Sequence, residues 1–197
     1  WNTGNIFEEK ELQQSHMVFG IEGLKYTDND RFALRALSII FGGGMSSKLF
    51  QRIREEKGLC YSIYSFCAHY SSTGIFGFYS ACLPKDLKNL VEESLNEFRK
   101  LKNQITISDV EKAKSQMKSG FLMSKDSSMN RLESNINSIF SFGEVISEIE
   151  ILNKIDALNV SKIKDVLSKI SHTPKPVLSI FGPEGNDLKN IHLENYF

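Results

Sequence analysis

The sequence predicts an α+β fold in which a mainly antiparallel sheet carries helices on one face. Two aromatic-rich runs, at residues 60–70 and 74–83, lie next to each other and are joined by a short polar turn. Five helical patterns then follow in one block, which Pro174 and Pro176 are expected to end, and a last apolar run spans residues 176–182. A strand pair beside a block of helices is typical of segregated α+β architectures. The last strand must therefore return to the sheet after five helices.

The first half begins with a strand and a helix. Residues 15–22 alternate so that Met17, Phe19 and Ile21 share one face, which is the period of a half-buried strand. Residues 30–41 place apolar side chains at helical spacing. Residues 1–14 are polar, and we expect them to be frayed or to lie at an edge of the sheet.

A glycine cluster, a short basic helix and a glycine stop follow that helix. Glycines at 42–44 can adopt a positive φ or let another backbone come close. Ser46 or Ser47 is expected to cap the next helix, and Gly58 is expected to end it as a C′ residue. Tyr61 then opens the first strand of the predicted hairpin, whose strands span residues 60–70 and 74–83.

The helices of the second half are predicted from their capping residues. Pro84 suits the first turn of a helix, and Ser–Glu pairs three residues apart predict capping boxes at 108–111 and 147–150. Residues 126–128 and Asn159 supply two further caps. In the helix after residue 128 we expect an inward apolar stripe of Leu132, Ile136, Ile139 and Phe140. Residues 184–197 are expected to form a peripheral tail.

Length and composition predict one domain and exclude several protein classes. The 197 residues are 41% apolar and 24% charged, enough to bury a core without disulfides or metals. The net charge is zero, which argues against a general nucleic-acid binder. No apolar run approaches the ~18 residues that a membrane helix needs. Because the first residue is tryptophan, we expect either a piece of a longer protein or a mature product.

Three cysteines without a CxxC motif predict buried free thiols in a reducing compartment, a bacterial cytoplasm or, alternatively, a mitochondrial matrix. The four histidines show no zinc-binding spacing, so we expect no metal site made by this chain alone. The glycines at 42–44 precede a lysine but do not fit a phosphate-binding P-loop, which requires GxxxxGK directly after a strand.

Arg54 and Tyr61 are the remaining candidates for a chemical role, and spacing alone leaves two interpretations open. An arginine in the last turn of a helix complements the helix dipole, and a tyrosine at the start of a strand often packs against neighbours. The same pair can also act on a peptide. A guanidinium presents fixed donors that can hold a peptide carbonyl, and a tyrosine hydroxyl can donate to a developing oxyanion.

The stretch GGGMSSKLFQRIREEKGLCYSIYS, residues 42–65, resembles the signature of the second, non-zinc domain of insulinase/pitrilysin-type zinc peptidases. The nearest likeness is to the beta subunits of mitochondrial processing peptidases and their bacterial homologues. The resemblance extends from about His16 to Pro183, with a specific central motif and weaker, colinear flanks. It implies a mainly antiparallel sheet with helices on one face, as the element order also predicts.

The resemblance also implies a function that this chain serves only with a partner. Arg54 and Tyr61 match a family pair that holds substrate carbonyls and helps to polarise the scissile one. The HxxEH zinc motif of the family is absent here, so zinc would belong to the full enzyme, on an upstream domain or a partner subunit. Peptides would be the substrate, and the surface meant for the partner could let the isolated chain form a homodimer. Alternatives are a non-catalytic structural or regulatory subunit of the same family and an unrelated α+β binding module.

Overall fold

The computed structural model describes residues 1–172, 176–183, 188 and 191–196. Five strands form one sheet in the order β1-β5-β2-β4-β3. β1 pairs with β5 in parallel, and all other pairs are antiparallel, so the predicted sheet type is confirmed. The strands are β1 (Gly4–Glu9), β2 (Ser15–Glu22), β3 (Ser62–His69), β4 (Gly74–Cys82) and β5 (Val177–Gly182).

The helices follow the predicted order, with one short segment between the first α-helix and the hairpin and five α-helices after the hairpin. In the described part of the chain, none is long and apolar enough to cross a membrane. The α-helices are α1 (Arg31–Gly42), α2 (Leu87–Gln104), α3 (Ile107–Ser124), α4 (Ser128–Phe142), α5 (Glu148–Asp156) and α6 (Val160–Ser171). A π-helix spans Phe50–Glu56, and 3₁₀ turns span Pro84–Asp86 and Leu193–Tyr196.

The core lies between one face of the sheet and the helices. Phe19 and Phe78 of the sheet contact each other with ring centroids 5.0 Å apart, and Phe41 of α1 lies 5.5 Å from Phe98 of α2. Such aromatic pairs contribute about 0.5–1.5 kcal/mol each beyond their buried area. The opposite face of the sheet carries exposed side chains such as Tyr64. The prediction of helices on one face is therefore confirmed.

The termini are held more firmly than the polar sequence suggests. The segment 1–14 contributes β1 at the edge of the sheet, in register with β5 from Gly4↔Val177 to Glu9↔Gly182. In the described part of the predicted tail, Leu188 and Leu193 are buried in the core. Pro174, expected to follow the last helix, lies outside the described residues.

One capping prediction was wrong in register, and another was right in part. Thr106, not Ser108, begins α3: its hydroxyl accepts from the Asp109 N–H at 3.2 Å, while the Asp109 carboxylate accepts from the Thr106 N–H at 3.0 Å. An aspartate three residues after a threonine closes the box as well as the predicted glutamate would. At the start of α5, half of the predicted box is confirmed: the Ser147 hydroxyl accepts from the Glu150 N–H at 3.2 Å, whereas the Glu150 carboxylate forms an ion pair with Lys154 at 2.6 Å instead of closing the box.

The predicted inward stripe of α4 was also wrong. Leu132, Ile136, Ile139 and Phe140 are 41–87% exposed, and the one buried residue of this helix is Ser138. Apolar periodicity identifies an apolar face but does not say what covers it. In α4 that face points away from the core of this chain.

Candidate functional site

The site begins where α1 approaches the hairpin. A Cβ at Gly42 would lie 2.4 Å from the backbone nitrogen of Ser65 in β3, so only glycine lets the helix end come this close to the strand. The glycine cluster was expected either to adopt a positive φ or to let another backbone come close, and Gly42 serves the second role. The approach fixes the start of the next helical segment relative to β3.

Ser47 starts that helical segment through its backbone rather than through its side chain. Its carbonyl accepts from the Gln51 N–H at 3.0 Å, which is an α-helical bond. Its hydroxyl donates to the carbonyl of Gly44 at 2.6 Å and thus closes the preceding turn. The predicted start is right in position, but the side chain does not cap the helix in the expected way.

The segment Phe50–Glu56 is a π-helix, whereas the sequence predicts an ordinary α-helix. Leu49 and Ile53 are fully buried and anchor it to the core. Gly58, with a φ of +63°, ends it in the left-handed conformation, as predicted. Wide π-turns are rare and occur often at functional sites because they redirect side chains.

Arg54 lies in the last turn of the π-helix. Its guanidinium lies 4.6 Å from the centre of the Phe50 ring, and its Nε is 3.8 Å from Oε1 of Glu55. Stacking on a ring holds the guanidinium in place while its donor edge stays available. The side chain is 39% exposed, so it can reach a ligand from this position.

Tyr61 lies just before β3 and is 83% exposed, which is unusual for a large aromatic side chain. It lines the same pocket as Arg54, with a volume of about 350 Å³. The rest of the lining contains both apolar and polar residues. It comprises Leu59, Cys60, Ala81, Cys82 and Leu83, together with Gln14, Glu55, Gly58 and Asp86. The two residues singled out from the sequence thus share one open pocket.

The cysteines of this pocket are unsuited to thiolate chemistry. Burial raises the pKa of Cys60, although a hydrogen bond with Ser80 and the charge of Arg54 oppose the shift. Burial, followed by the nearby Asp86 carboxylate and Cys60, raises the pKa of Cys82 to about 12. Both thiols are therefore neutral at pH 7, and neutral thiols are poor nucleophiles. All three cysteines are free, as predicted; Cys60 and Cys82 are buried, whereas Cys67 is only half-buried.

Asp86 and Gln14 were not foreseen as part of the site. Asp86 precedes α2 but forms no capping hydrogen bond with its side chain, which instead lines the pocket. The signal that could have found it is the hairpin register. Pairing of Ser62 with Ala81 brings the start of β3 beside the end of β4, and Asp86 follows that end by four residues.

The residues present do not fit a zinc centre. Among the described residues, no group of three or more His, Cys, Asp or Glu side chains is arranged to hold a metal ion. Zinc sites in proteins use three or four such ligands. The HxxEH motif is also absent from these 197 residues.

The sequence profile of the family described as "Peptidase M16 inactive domain" matches residues 2–117. The chain belongs to this family. The match contains the whole of the pocket, from Gln14 to Asp86, and all of β1 to β4. The resemblance stated from residues 42–65 is thereby confirmed.

Relatives of this M16 inactive domain are much longer than the chain itself. An uncharacterised zinc protease of Rickettsia felis is 34% identical over 189 residues, which cover 95% of this chain and 45% of the relative. The beta subunit of the mitochondrial-processing peptidase of Lentinula edodes is 31% identical, over 88% of this chain and 39% of the relative. The chain thus spans less than half the length of these relatives.

The solved structures support the fold. A chain in the structure of complex III2 from Candida albicans, with Inz-5 bound, superposes with a TM-score of 0.85 and 20% identity. The match covers 98% of this chain and 48% of that one. At this identity the likeness shows the shared architecture of the M16 inactive domain and nothing about activity.

Proposed function

We propose that this chain is the substrate-binding half of a zinc metalloendopeptidase that cleaves peptides or presequences. The observation that carries the proposal is that Arg54 and Tyr61 line one pocket. The guanidinium of Arg54 is stacked on the Phe50 ring, and the Tyr61 side chain is open to solvent. The zinc protease names of the relatives support the reaction class. The absence of the HxxEH motif from this sequence supports the assignment of zinc to another domain or subunit.

Each residue has a defined role in the proposal. The guanidinium of Arg54 donates to a backbone carbonyl of the bound peptide and holds the chain in one register. The hydroxyl of Tyr61 donates to the scissile carbonyl oxygen, on which negative charge develops as water attacks. Zinc held by the partner half would supply Lewis-acid chemistry for this attack. This chain therefore positions and polarises the substrate but does not cleave it alone.

The roles are tested by Arg54→Ala and Tyr61→Phe in the zinc-bearing protein. We expect each to lower kcat/KM by ~10²-fold or more, by analogy with the removal of one oxyanion donor. Matched controls are Arg52→Ala, two residues away in the same π-helix, and Tyr70→Phe, an exposed tyrosine at the hairpin turn. The control variants should keep their activity. Unchanged kcat/KM in both site variants would refute the assigned roles.

A non-catalytic structural or regulatory subunit is the second candidate. The contacts of Arg54 with Phe50 and Glu55 favour it, because they would also stabilise the end of the π-helix without any substrate. Thermal unfolding of the same variants separates the two candidates. If the role of Arg54 is purely structural, Arg54→Ala should lower Tm and Tyr61→Phe should leave activity unchanged. The proposed clamp predicts loss of turnover in Tyr61→Phe with an unchanged Tm.

A further inference from the structure

The largest unexplained feature outside the pocket is the exposed apolar stripe of α4. Met129, Leu132, Ile136, Ile139 and Phe140 recur at the spacing of one helix face and are 41–87% exposed. Four more exposed apolar side chains lie close by in the chain, Leu122 and Met123 at the end of α3, and Val145 and Ile149 around the start of α5. We call these nine side chains the α4 face.

The α4 face is large for an exposed apolar surface. The five α4 side chains that share one helix face present on the order of 600 Å² of surface, which is at the upper end of the ~300–600 Å² of the largest patch on a typical monomer. One partner of a standard protein interface contributes about 800 Å². The stripe of α4 thus supplies a large part of one side of a stable interface.

The α4 helix is anchored at its C-terminal end. At the end of the helix, the Phe142 ring lies 5.8 Å from the Tyr26 ring and 5.2 Å from the guanidinium carbon of Arg31. Lys125 before the helix and Glu148 after it form an ion pair at 3.6 Å. The Phe142 contacts anchor the C-terminal end of α4, and the ion pair joins the segments on either side of the helix, while α4 itself packs only lightly against the other elements and leaves its apolar stripe uncovered.

The composition of α4 favours a protein as its occupant. The helix carries a single cation, Arg131, and a single anion, Glu133, among 15 residues, and its other polar side chains are serines and asparagines. Helices that lie on membranes carry many Lys and Arg residues on the polar face. Depletion of charge around aromatic and Met side chains is instead the mark of an interface core.

We propose that the α4 face is the docking surface for the zinc-bearing half. This inference rests on the proposed function, which supplies that half as a partner. The chain spans 45% of the length of the Rickettsia relative, so a segment of at least equal size accompanies this domain in such a polypeptide. Linkage in one polypeptide gives the two halves a millimolar effective concentration. At that concentration the linked half outcompetes a second copy of the domain.

Thiol labelling tests the docking surface without any need for peptidase activity. Leu132→Cys and Phe140→Cys are introduced into the zinc-bearing full-length protein and into this chain alone. Ile107→Cys in α3 is the control, because Ile107 is 75% exposed and lies outside the α4 face. We expect maleimide to label positions 132 and 140 at least ~10-fold more slowly in the full-length protein than in this chain alone, as burial limits access to local opening. Position 107 should react equally in both.

Each other outcome overturns the inference. Equal labelling in the two proteins would show that nothing covers the face. Protection in this chain alone that grows with its concentration would assign the face to a second copy. Protection that needs added vesicles of anionic lipid would assign it to a membrane. Labelling is independent of turnover, so the two proposals fail separately. If positions 132 and 140 are not protected but Arg54→Ala still lowers kcat/KM, only the docking surface is refuted. If the positions are protected but Arg54→Ala leaves kcat/KM unchanged, only the substrate clamp is refuted.

Discussion

Gly58 provides a direct test of how the chain positions Tyr61. It holds a φ of +63°, and a Cβ built on it meets nothing within 4 Å. Gly58→Ala therefore introduces a backbone penalty without any steric clash. Gly44 is a matched control, because a Cβ there also meets nothing within 4 Å, but its φ is not positive.

The expected magnitude follows from the backbone alone. A left-handed conformation costs a residue with a Cβ about 1–2 kcal/mol, whereas replacing glycine by alanine gains ~0.4–1 kcal/mol from the unfolded chain. Gly58→Ala should thus destabilise the protein by about 1 kcal/mol, and Gly44→Ala should stabilise it by ~0.4–1 kcal/mol. For a chain of this size, 1 kcal/mol shifts Tm by about 2–4 °C.

Urea and thermal unfolding of the two variants, followed by circular dichroism, measure the difference. The result that refutes the reasoning is a Gly58→Ala variant as stable as Gly44→Ala. In that case the positive φ at residue 58 would carry no constraint, and the helix stop would not determine where Tyr61 lies. Gly58→Asn should lie between wild type and Gly58→Ala, since asparagine tolerates the left-handed region better than alanine does.

Two further predictions concern the surroundings of the site. Gly42→Ala should destabilise by more than Gly58→Ala, because the new Cβ meets the Ser65 backbone at 2.4 Å and must push α1 away from β3; denaturation midpoints measure this. In the capping box of α3, burial alone would raise the pKa of the Asp109 carboxyl group. Hydrogen bonds from Thr106 and the charge of Lys48 outweigh burial, so the pKa of Asp109 is lowered. Its contribution to stability is present above its unfolded pKa of ~3.9 and is lost as pH falls through the lower folded value. The stability gap between wild type and Asp109→Asn should therefore shrink in acid.

Local patterns were sufficient for most of the elements. The alternation of Met17, Phe19 and Ile21 predicted β2, and their full burial confirms the assigned face. The polar turn after residue 70 predicted the hairpin of β3 and β4, because a short connection leaves antiparallel neighbours few other arrangements. These elements are determined by residues close together in the chain.

Elements that depend on distant partners were predicted only in part. Residues 1–14 were expected to be frayed or to lie at an edge of the sheet, and β1 does lie at the edge. β1 has little alternation, and it becomes a strand because β5, some 170 residues later, offers it a parallel edge. The inward stripe expected in α4 failed for a related reason. Its apolar residues do form one face, but periodicity is a property of the helix and contains no information on which surface the face meets.

The candidate site combines both kinds of information. The spacing of Arg54 and Tyr61 was readable, but their directions were not. Each residue turns an α-helix by about 100°, so the one extra residue of a π-turn rotates every later side chain by a similar angle. An α-helix anchored by the buried Ile53 would send the following chain along another path to β3. The π-helix and the left-handed Gly58 together decide that both side chains line one pocket; the glycine stop was predicted from its residue type, but the π-helix was not.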